Sequence, residues 1–278
     1  MLLAVDSYRV TAKYYDAAYS AKQDLVDLPF YLELAGQSPG PVLEIACGTG
    51  RVLLPLARKG IEVHGVDNSL PMLTILKANL ADEPHDVRQR VTLHEGDMRD
   101  FRLGARYPLV MIPFRPMQHM HTVQDQVSAL RTAALHLTDA GVLVFDVFYP
   151  KFELIHTRIG EEVAEMEWTP NSDPDSDTAK TKRKTVRRYF RKDHVDKINQ
   201  TFSFTFIYRT FSEGQLILEE TEVLQLSYFT YPHLRALFML AGVEVVAEYG
   251  SFAKTPLDNS AEQMIFLLRK AHPRTPRT

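Results

Sequence analysis

Residues 41–51, PVLEIACGTGR, form the stretch that decides the fold. It begins as an apolar run of strand length, passes through a turn of small residues at 46–50 and enters a helical pattern without a linker. Small residues let a backbone approach a ligand closely, and a helix N-terminus offers N–H groups that lack partners within the helix. The stretch predicts a buried strand, a tight turn and a helix. Taken alone, it is as typical of a plain strand-to-helix connection as of a ligand site.

The residues that follow alternate between strand and helix patterns. The strand patterns are Pro41–Ala46, Ile61–Asp67, Val91–Asp97, Leu109–Phe114 and Gly141–Phe148, and the helical patterns are Arg51–Lys59, Leu70–Leu80 and Val123–Leu137. This βαβ rhythm predicts an α/β fold with a mostly parallel sheet and helices on both of its faces. A further helical pattern, rich in aromatic residues, precedes it at Tyr8–Ala35.

The composition changes near Pro150. Three segments rich in Thr, Val, Tyr and Phe follow, at Ala179–Arg191, Val195–Phe211 and Gln215–Phe229, and predict an antiparallel meander. A helix at Pro232–Ala241 and strands at Val243–Tyr249 and Gln263–Arg269 come next. The domains that we expect are a helical cap at 1–38, a core at 39–150, an antiparallel β insertion at 151–230 serving as a lid or an interface, a return to the core at 231–270 and a disordered tail at 271–278. Asn171–Asp177 is expected to be a polar loop.

Composition and charge exclude several classes of protein. The chain has 278 residues, 45% of them apolar, and a formal net charge of −3, which argues against a protein that coats nucleic acid or an anionic membrane. The single cysteine, Cys47, rules out an internal disulfide framework and suits a reducing compartment. No apolar run approaches the roughly 20 residues of a membrane helix, and Met1–Val5 is closed at once by Asp6, unlike a signal peptide. We therefore expect a soluble cytoplasmic protein.

Three acids follow or interrupt successive predicted strands. Glu44 lies inside an apolar strand, where a carboxylate is costly without a partner. Asp67 ends the second strand, where it can accept both hydroxyls of a ribose, and Asp97 ends the third, placed to accept from an adenine amino group. Because the carboxyl ends of parallel strands meet at one edge of a sheet, the three acids are expected to converge on one crevice.

The glycine pattern separates this site from the common dinucleotide site. The fingerprint G-x-G-x-x-G requires glycine at position 53, where Leu53 stands, and position 46 is alanine. A nicotinamide or flavin enzyme is therefore disfavoured.

The ordered set of motifs resembles the class I S-adenosylmethionine-dependent methyltransferases. The motifs are VLEIACGTGR, then GVDNSLPML at Gly65–Leu73, then EGDMRDF at Glu95–Phe101. The resemblance implies a Rossmann-like, seven-stranded sheet whose last strand is antiparallel, with S-adenosyl-L-methionine as cofactor and S-adenosyl-L-homocysteine as product. It also implies that the turn holds the methionine part, Asp67 the ribose, and Asp97 with the Met98 backbone the adenine.

Twelve residues are predicted to bind the cofactor. Tyr15 is included because an aromatic ring near the charged sulfonium would make a cation–π contact, although packing within its helix explains the ring equally well. The full set is Tyr15, Glu44, Ala46, Gly48, Gly50, Arg51, Asp67, Asn68, Met72, Asp97, Met98 and Pro113.

The segment Ile112–Met120 is similar to the loop after the fourth strand in glycine N-methyltransferases and amino-sugar N-methyltransferases. Those enzymes place a histidine where His119 stands, but commonly an asparagine where Arg115 stands. The resemblance implies methyl transfer to a small-molecule acceptor, with an amine nitrogen favoured. His119 is predicted to take a proton or to orient the lone pair of the acceptor, and Arg115 to pair with an acidic group on it.

Two other functions stay open at this level. Lys180–Lys192 contains eight basic residues and no acid, so it could bind a nucleic acid or protein substrate, or it could be the solvated face of an edge strand neutralised by the acids of 161–177. The chain could also bind the cofactor without catalysis. A metal site at His119, His121 and Asp125 would need support from a second cluster of possible ligands. The sequence offers none, so no metal is predicted. The expected partner is a small molecule, without membrane or nucleic acid, and a homodimer is compatible with the sequence.

Overall fold

A computed structural model of the chain describes residues 8–20, 25–170 and 184–271. Its helices are α1 Thr11–Ser20, α2 Asp27–Gly36, α3 Leu53–Arg58, α4 Leu70–Ala81, α5 His85–Arg88, α6 Val123–Leu135, α7 Phe152–Ile155 and α8 Tyr231–Ala241, with a 3-10 turn at Pro116–His119. Its strands are β1 Val42–Ile45, β2 Val63–Asp67, β3 Val91–Glu95, β4 Tyr107–Ile112, β5 Leu137–Phe148, β6 Glu162–Trp168, β7 Lys184–Asp196, β8 Thr201–Ser212, β9 Gln215–Ser227, β10 Val243–Tyr249 and β11 Gln263–Lys270.

Seven strands form the main sheet, in the order β10-β11-β5-β4-β1-β2-β3. Strands β3, β2, β1, β4 and β5 pair in parallel, whereas β11 is antiparallel to both β5 and β10. The strand order reverses between β1 and β4, so the carboxyl ends of these two strands flank the switch point at which open α/β sheets bind ligands. The predicted fold class is confirmed, including its antiparallel last strand.

Alternate side chains of the central strands are buried on opposite faces of this sheet. Leu43 and Val110 pack in a cluster with residues of α6 and α8. Val42 and Met111 pack in a second cluster with residues of α2, α3 and α4. Both faces of the parallel strands are thus covered by helices, which fixes β1 and β4 in the centre of the core.

The structure divides into two compact units. One contains the main sheet and the helices α2 to α6 and α8, and the other contains α1 together with the residues from 151 to 226. The second unit is built on a four-stranded sheet in the order β6-β7-β8-β9, inserted after β5. Its small core gathers Tyr14, Trp168, Val186 and Tyr208, with the rings of Tyr14 and Tyr208 stacked 4.5 Å apart.

The inserted sheet corrects two expectations. The meander has four strands rather than three, because Glu162–Trp168 also forms a strand and pairs with β7. The basic strand β7 is consequently an inner strand, between β6 and β8, and not an edge strand. The predicted loop at 171–177, the first residues of the basic run and residues 272–278 of the predicted tail lie outside the described residues. Among the helices that the structure describes, none has the length and apolarity that crossing a bilayer requires.

Candidate functional site

The turn after β1 holds three residues with left-handed backbone. Ala46, Gly48 and Gly50 have φ values of 59°, 55° and 90°. A Cβ added at Gly50 would push aside the ends of the Leu76 and Leu54 side chains, and the φ of 90° disfavours any L side chain, so glycine is favoured there. A Cβ added at Gly48 would meet no protein atom within 4 Å. The Gly48 side of the turn therefore faces open space, as a ligand-binding turn must.

Asp67 at the end of β2 is tied to this turn. Its Oδ2 accepts the backbone N–H of Gly48 at 2.7 Å and its Oδ1 accepts that of Ser69 at 2.8 Å. Burial raises the pKa of Asp67, and the backbone donors at Ser69, Gly48 and Asn68 oppose that shift. These hydrogen bonds fix the carboxylate in one orientation beside the turn, where its remaining lone pairs can accept hydroxyl groups.

Asp97 lies after β3 and is less buried than Asp67. Its Oδ1 accepts both the backbone N–H and the Nε of Arg99 at 2.9 Å, and its Oδ2 accepts Nη2 of Arg99 at 2.6 Å. Partial burial raises the pKa of Asp97, but the hydrogen bonds from Arg99, with a smaller one from Asn68, lower it more, so the net pKa lies below its usual range. Asn68, whose backbone N–H donates to Asp67, thus links the acid that ends β2 to the acid that follows β3.

Glu44 in the middle of β1 is a buried acid, and one of its carboxyl oxygens accepts no hydrogen bond from the described residues. The residue is 2% exposed, and its Oε2 has no hydrogen-bond partner among the described residues. Burial raises the pKa of Glu44 to about 8; the charge of Arg51 lowers it, and Asp67 and Asp27 raise it further. Such an oxygen is costly unless a bound group supplies a donor.

The loop after β4, residues 113–119, contains the second strained turn of the site. Phe114 and Arg115 both adopt left-handed backbone, with φ of 69° and 72°. Gln118 anchors the loop from within the core: its Nε2 donates to the Ser227 carbonyl at 2.8 Å, and its Oε1 accepts the Phe148 N–H at 3.3 Å. Consecutive non-glycine residues in this region persist only where their surroundings impose them, and such turns concentrate at functional sites.

The two predicted catalytic residues both lie on this loop. His119 ends the 3-10 turn and is partly buried; burial lowers the pKa of His119 to about 4, and the neighbouring His121 lowers it further. Its imidazole is neutral at physiological pH. The Arg115 guanidinium is partly exposed, and its Nε lies 3.9 Å from Oδ2 of Asp146. A neutral lone-pair acceptor and a fixed cation therefore share one short loop.

Three buried residues of this region were not predicted. Asp146 on β5 accepts the Tyr31 hydroxyl at 2.7 Å and the Phe114 N–H at 2.8 Å through the same Oδ1. Asp27 binds the Arg51 guanidinium through two hydrogen bonds of 3.0 and 2.5 Å. Asp146 could have been predicted from the sequence, because it is an acid inside the apolar run 143–148. Nothing in the sequence around Tyr31 or Asp27 indicated a place in the site.

The other predicted cofactor residues occupy several environments. Met72, Met98 and Pro113 are buried, on α4, after β3 and after β4 respectively. Arg51 is held by its ion pair with Asp27 and by a cation–π contact in which its Cζ lies 4.4 Å from the centre of the Phe114 ring. Tyr15 belongs to the other compact unit, where its ring lies 4.5 Å from that of Tyr19. The part that each plays toward a cofactor stays a prediction.

Asp125, one of the residues considered for a metal, has other partners. Asp125 accepts the Thr122 hydroxyl at 2.8 Å and lies 3.3 Å from Nη1 of Arg99. Within the described ranges, no group of three His, Cys, Asp or Glu side chains is arranged to hold a metal ion.

Comparison with known proteins shows similarity to methyltransferases. A family model described as a methyltransferase domain matches residues 42–141. The dTDP-3-amino-3,4,6-trideoxy-alpha-D-glucopyranose N,N-dimethyltransferase of Streptomyces venezuelae is 33% identical over 108 residues, 39% of this chain and 42% of the relative. The cypemycin N-terminal methyltransferase of a Streptomyces species is 24% identical over 230 residues, 82% of each chain. The chain spans about half the length of the curated relatives it matches first.

Solved structures share the fold over almost the whole chain. The CcbJ methyltransferase of Streptomyces caelestis superposes with a TM-score of 0.74 at 26% identity, covering 96% of this chain and 97% of its own. Two further structures with this fold, an amino pentose methyltransferase and a glycopeptide N-methyltransferase, hold S-adenosylmethionine and S-adenosylhomocysteine respectively. Residues 42–141 thus match a methyltransferase domain, and the chain has the fold of the class I S-adenosylmethionine-dependent methyltransferases over almost its whole length.

Proposed function

We propose that this protein binds S-adenosylmethionine at the carboxyl edge of β1 to β4 and transfers its methyl group to an amine nitrogen of a small-molecule acceptor. The observation that carries the proposal is the hydrogen-bonded assembly of Gly48, Asp67, Asn68 and Asp97 beside the loop that bears His119. The relatives named as amino-sugar and peptide N-terminal methyltransferases support an amine acceptor. The single cysteine, Cys47, supports a cytoplasmic location.

The residues at this edge suit the cofactor in charge and in hydrogen-bonding groups. The open side of Gly48 leaves room for a ligand against the turn. Glu44 offers a buried oxygen without a partner, suited to an ammonium group, and Asp67 offers fixed acceptors suited to ribose hydroxyls. Asp97, with the backbone of Met98, would hold the adenine.

Catalysis then depends on alignment. When bound, S-adenosylmethionine supplies the methyl group as a sulfonium, which reacts by in-line displacement. The acceptor amine must be neutral when it attacks, and positioning the reacting atoms supplies most of the acceleration in such reactions. His119, whose pKa is lowered to about 4, is neutral and accepts an N–H hydrogen bond from the acceptor, which orients the lone pair. So low a pKa makes His119 a weak base, and of the two predicted roles we favour orientation. Arg115 binds an acidic group of the acceptor.

The alternative of a nucleic-acid or protein substrate bound to the basic strand is disfavoured by the charges of the inserted sheet. Arg187 pairs with Glu167 at 2.5 Å and Arg188 with Glu165 at 2.9 Å, both across to β6. Arg191 bonds to Asp193 at 2.8 Å. The described part of the basic strand is therefore largely neutralised by acids of its own sheet, which leaves little fixed charge for a phosphate backbone.

An acceptor screen with methyl-labelled cofactor tests the proposal. Purified protein is first titrated with S-adenosylmethionine and S-adenosylhomocysteine by calorimetry, then incubated with amino sugars, amino acids, peptides with free N-termini and phenols. We expect both cofactor forms to bind and label to reach amines. Cofactor binding without transfer to any acceptor would contradict catalysis, transfer to phenols alone would contradict the amine, and absence of binding would overturn the cofactor assignment.

A further inference from the structure

A buried carboxylate that the proposed chemistry does not use lies near the end of β5. Asp146 is 1% exposed. Its Oδ1 accepts two hydrogen bonds, one from the Tyr31 hydroxyl on α2 at 2.7 Å and one from the Phe114 backbone N–H at 2.8 Å. Because a charge this deep is unfavourable without strong partners, its position suggests a task. Burial raises the pKa of Tyr31 well above its usual range, so the phenol keeps its proton and remains a donor.

The backbone that Asp146 holds is the strained turn of the loop after β4. Phe114 and Arg115 are consecutive left-handed residues, an arrangement that relaxes unless neighbouring groups impose it. Phe114 is held on two sides, by the hydrogen bond from its N–H to Asp146 and by the Arg51 guanidinium 4.4 Å from its ring centre. The Nε of Arg115 lies 3.9 Å from the other oxygen of the same carboxylate.

The turn sets the direction in which the rest of the loop leaves the sheet. Pro116 to His119 form the 3-10 turn that follows at once, so the place of His119 depends on the dihedral angles at Phe114 and Arg115. A shift of about 1 Å in a positioning element can cost roughly 100-fold in rate.

We propose that Asp146 is a positioning residue for methyl transfer: its carboxylate, oriented by Tyr31, holds the Phe114–Arg115 turn in its left-handed conformation and thereby places Arg115 and His119 toward the acceptor. The proposal rests on the proposed function for its catalytic consequence. Its structural part, the restraint of the turn, is testable without any acceptor.

Hydrogen exchange of the loop tests the restraint directly. Between Pro113 and Met117 the only backbone N–H groups are those of Phe114, Arg115 and Met117, because positions 113 and 116 are proline. In Asp146→Ala the Phe114 N–H loses its acceptor, and we expect exchange of a peptide spanning this segment to be at least about 10-fold faster than in the wild type. Asp146→Asn keeps an acceptor oxygen and should restore slow exchange.

Two further variants separate restraint from general stability. Val144→Ala, in the same strand and fully buried, lowers stability without touching the loop and should leave the exchange of this segment unchanged. Tyr31→Phe removes the hydroxyl that orients Asp146 and should accelerate exchange moderately, and it serves if Asp146→Ala does not fold. The proposal would be overturned if this segment exchanged no faster in Asp146→Ala than in Val144→Ala. If Asp146→Ala does not fold, the same comparison is made with Tyr31→Phe.

Turnover with an amine acceptor that the screen identifies tests the consequence. We expect kcat to fall about 10-fold or more in Asp146→Ala and to recover to within about 3-fold in Asp146→Asn, with the Kd for S-adenosylhomocysteine nearly constant. If the wild type is active and the loop of Asp146→Ala exchanges faster than that of the wild type, an unchanged kcat in this variant would overturn the positioning role alone. A wild type that binds no cofactor would refute the proposed function and leave the exchange result standing.

Discussion

Gly48 and Asp67 are joined by a hydrogen bond in which the backbone N–H of Gly48 donates to Oδ2 of Asp67 at 2.7 Å. This bond ties the turn after β1 to the end of β2, so the two elements that would hold opposite parts of one ligand form a single rigid surface. Rigidity of this kind lowers the entropic cost of binding, because the carboxylate does not have to be ordered by the ligand.

Asp67→Ala is therefore expected to weaken S-adenosylmethionine binding strongly. Two charge-assisted hydrogen bonds to ribose hydroxyls would be lost, each worth about 1.5–3 kcal/mol, so Kd should rise at least about 100-fold in calorimetry. The same change removes the acceptor of the Gly48 and Ser69 N–H groups. Asp67→Asn, which keeps one acceptor oxygen, is the matched control and should lose less affinity. An unchanged Kd in a folded Asp67→Ala protein would refute the ribose assignment.

Asp97→Ala should have a smaller effect on the same Kd. Asp97 is already bound by three donors of Arg99, so an adenine amino group adds only one more hydrogen bond to a shared carboxylate. The backbone N–H of Met98 remains to hold the adenine. We expect a loss of about 10-fold or less. A larger loss than in Asp67→Ala, with both variants equally folded, would reverse the assigned roles.

Glu44 should make the stability of the cofactor-free protein depend on pH. Its pKa is raised to about 8 by burial, above the value of an exposed glutamate, so the folded state binds an extra proton between about pH 4.5 and 8. Stability from this group is complete below that window and is lost as pH rises through 8. Glu44→Gln, nearly identical in shape, should lose less stability than the wild type between pH 5.5 and 8.5 in urea unfolding. Equal losses would show that Glu44 is ionised in the fold. The variant should also bind S-adenosylmethionine more weakly.

The acids at the site show how far the sequence leads. The place of Glu44, Asp67 and Asp97 at one edge of the sheet was predictable, because an acid within or just after an apolar strand has few structural explanations and parallel strands bring such acids together. Asp146 gave the same signal within the run 143–148. Its partner Tyr31 could not be predicted, because 115 residues separate the two and only the packing of α2 on the sheet brings them together.

The inserted sheet contains features that the sequence did not predict. Glu162–Trp168 forms a strand although three of its seven residues are acidic, because each of these acids pairs with an arginine on β7. That pairing exists only once both strands are in register, so neither segment alone indicated it. The inner position of β7 and the neutralisation of its arginines follow from this one missed strand.

The arginines of β7 are expected to have little part in activity on a small acceptor. Arg187→Gln and Arg191→Gln remove an exposed and a partly exposed charge that already pair with acids, and exposed ion pairs contribute about 0–1 kcal/mol. Turnover should stay within a few-fold of the wild type, and the acceptor KM should vary little between 50 and roughly 200 mM salt. A steep salt dependence that these changes abolish would favour a polyanionic partner.

His119 gives the sharpest test of the chemistry. Since burial lowers its pKa to about 4, the acceptor kcat/KM should rise with pH as the amine deprotonates and show no inflection from His119 between pH 5 and 8. His119→Ala should lower kcat about 100-fold and leave the Kd of S-adenosylmethionine nearly unchanged, because the lost contact is to the acceptor. Arg115→Ala, on the same loop, should instead raise the acceptor KM and spare the cofactor.

Measuring turnover with the acceptor and the Kd of S-adenosylmethionine in His119→Ala and Arg115→Ala separates the roles of the two residues. If His119 only packs against the cofactor, His119→Ala will weaken S-adenosylmethionine binding and preserve turnover at saturation. His119→Gln, which retains a neutral hydrogen-bond acceptor, should recover part of the lost kcat if the side chain orients the amine and none if it must take a proton. Normal constants in all three variants would mean that the acceptor is handled outside residues 113–119, and the loop after β4 would lose its assignment as the acceptor site.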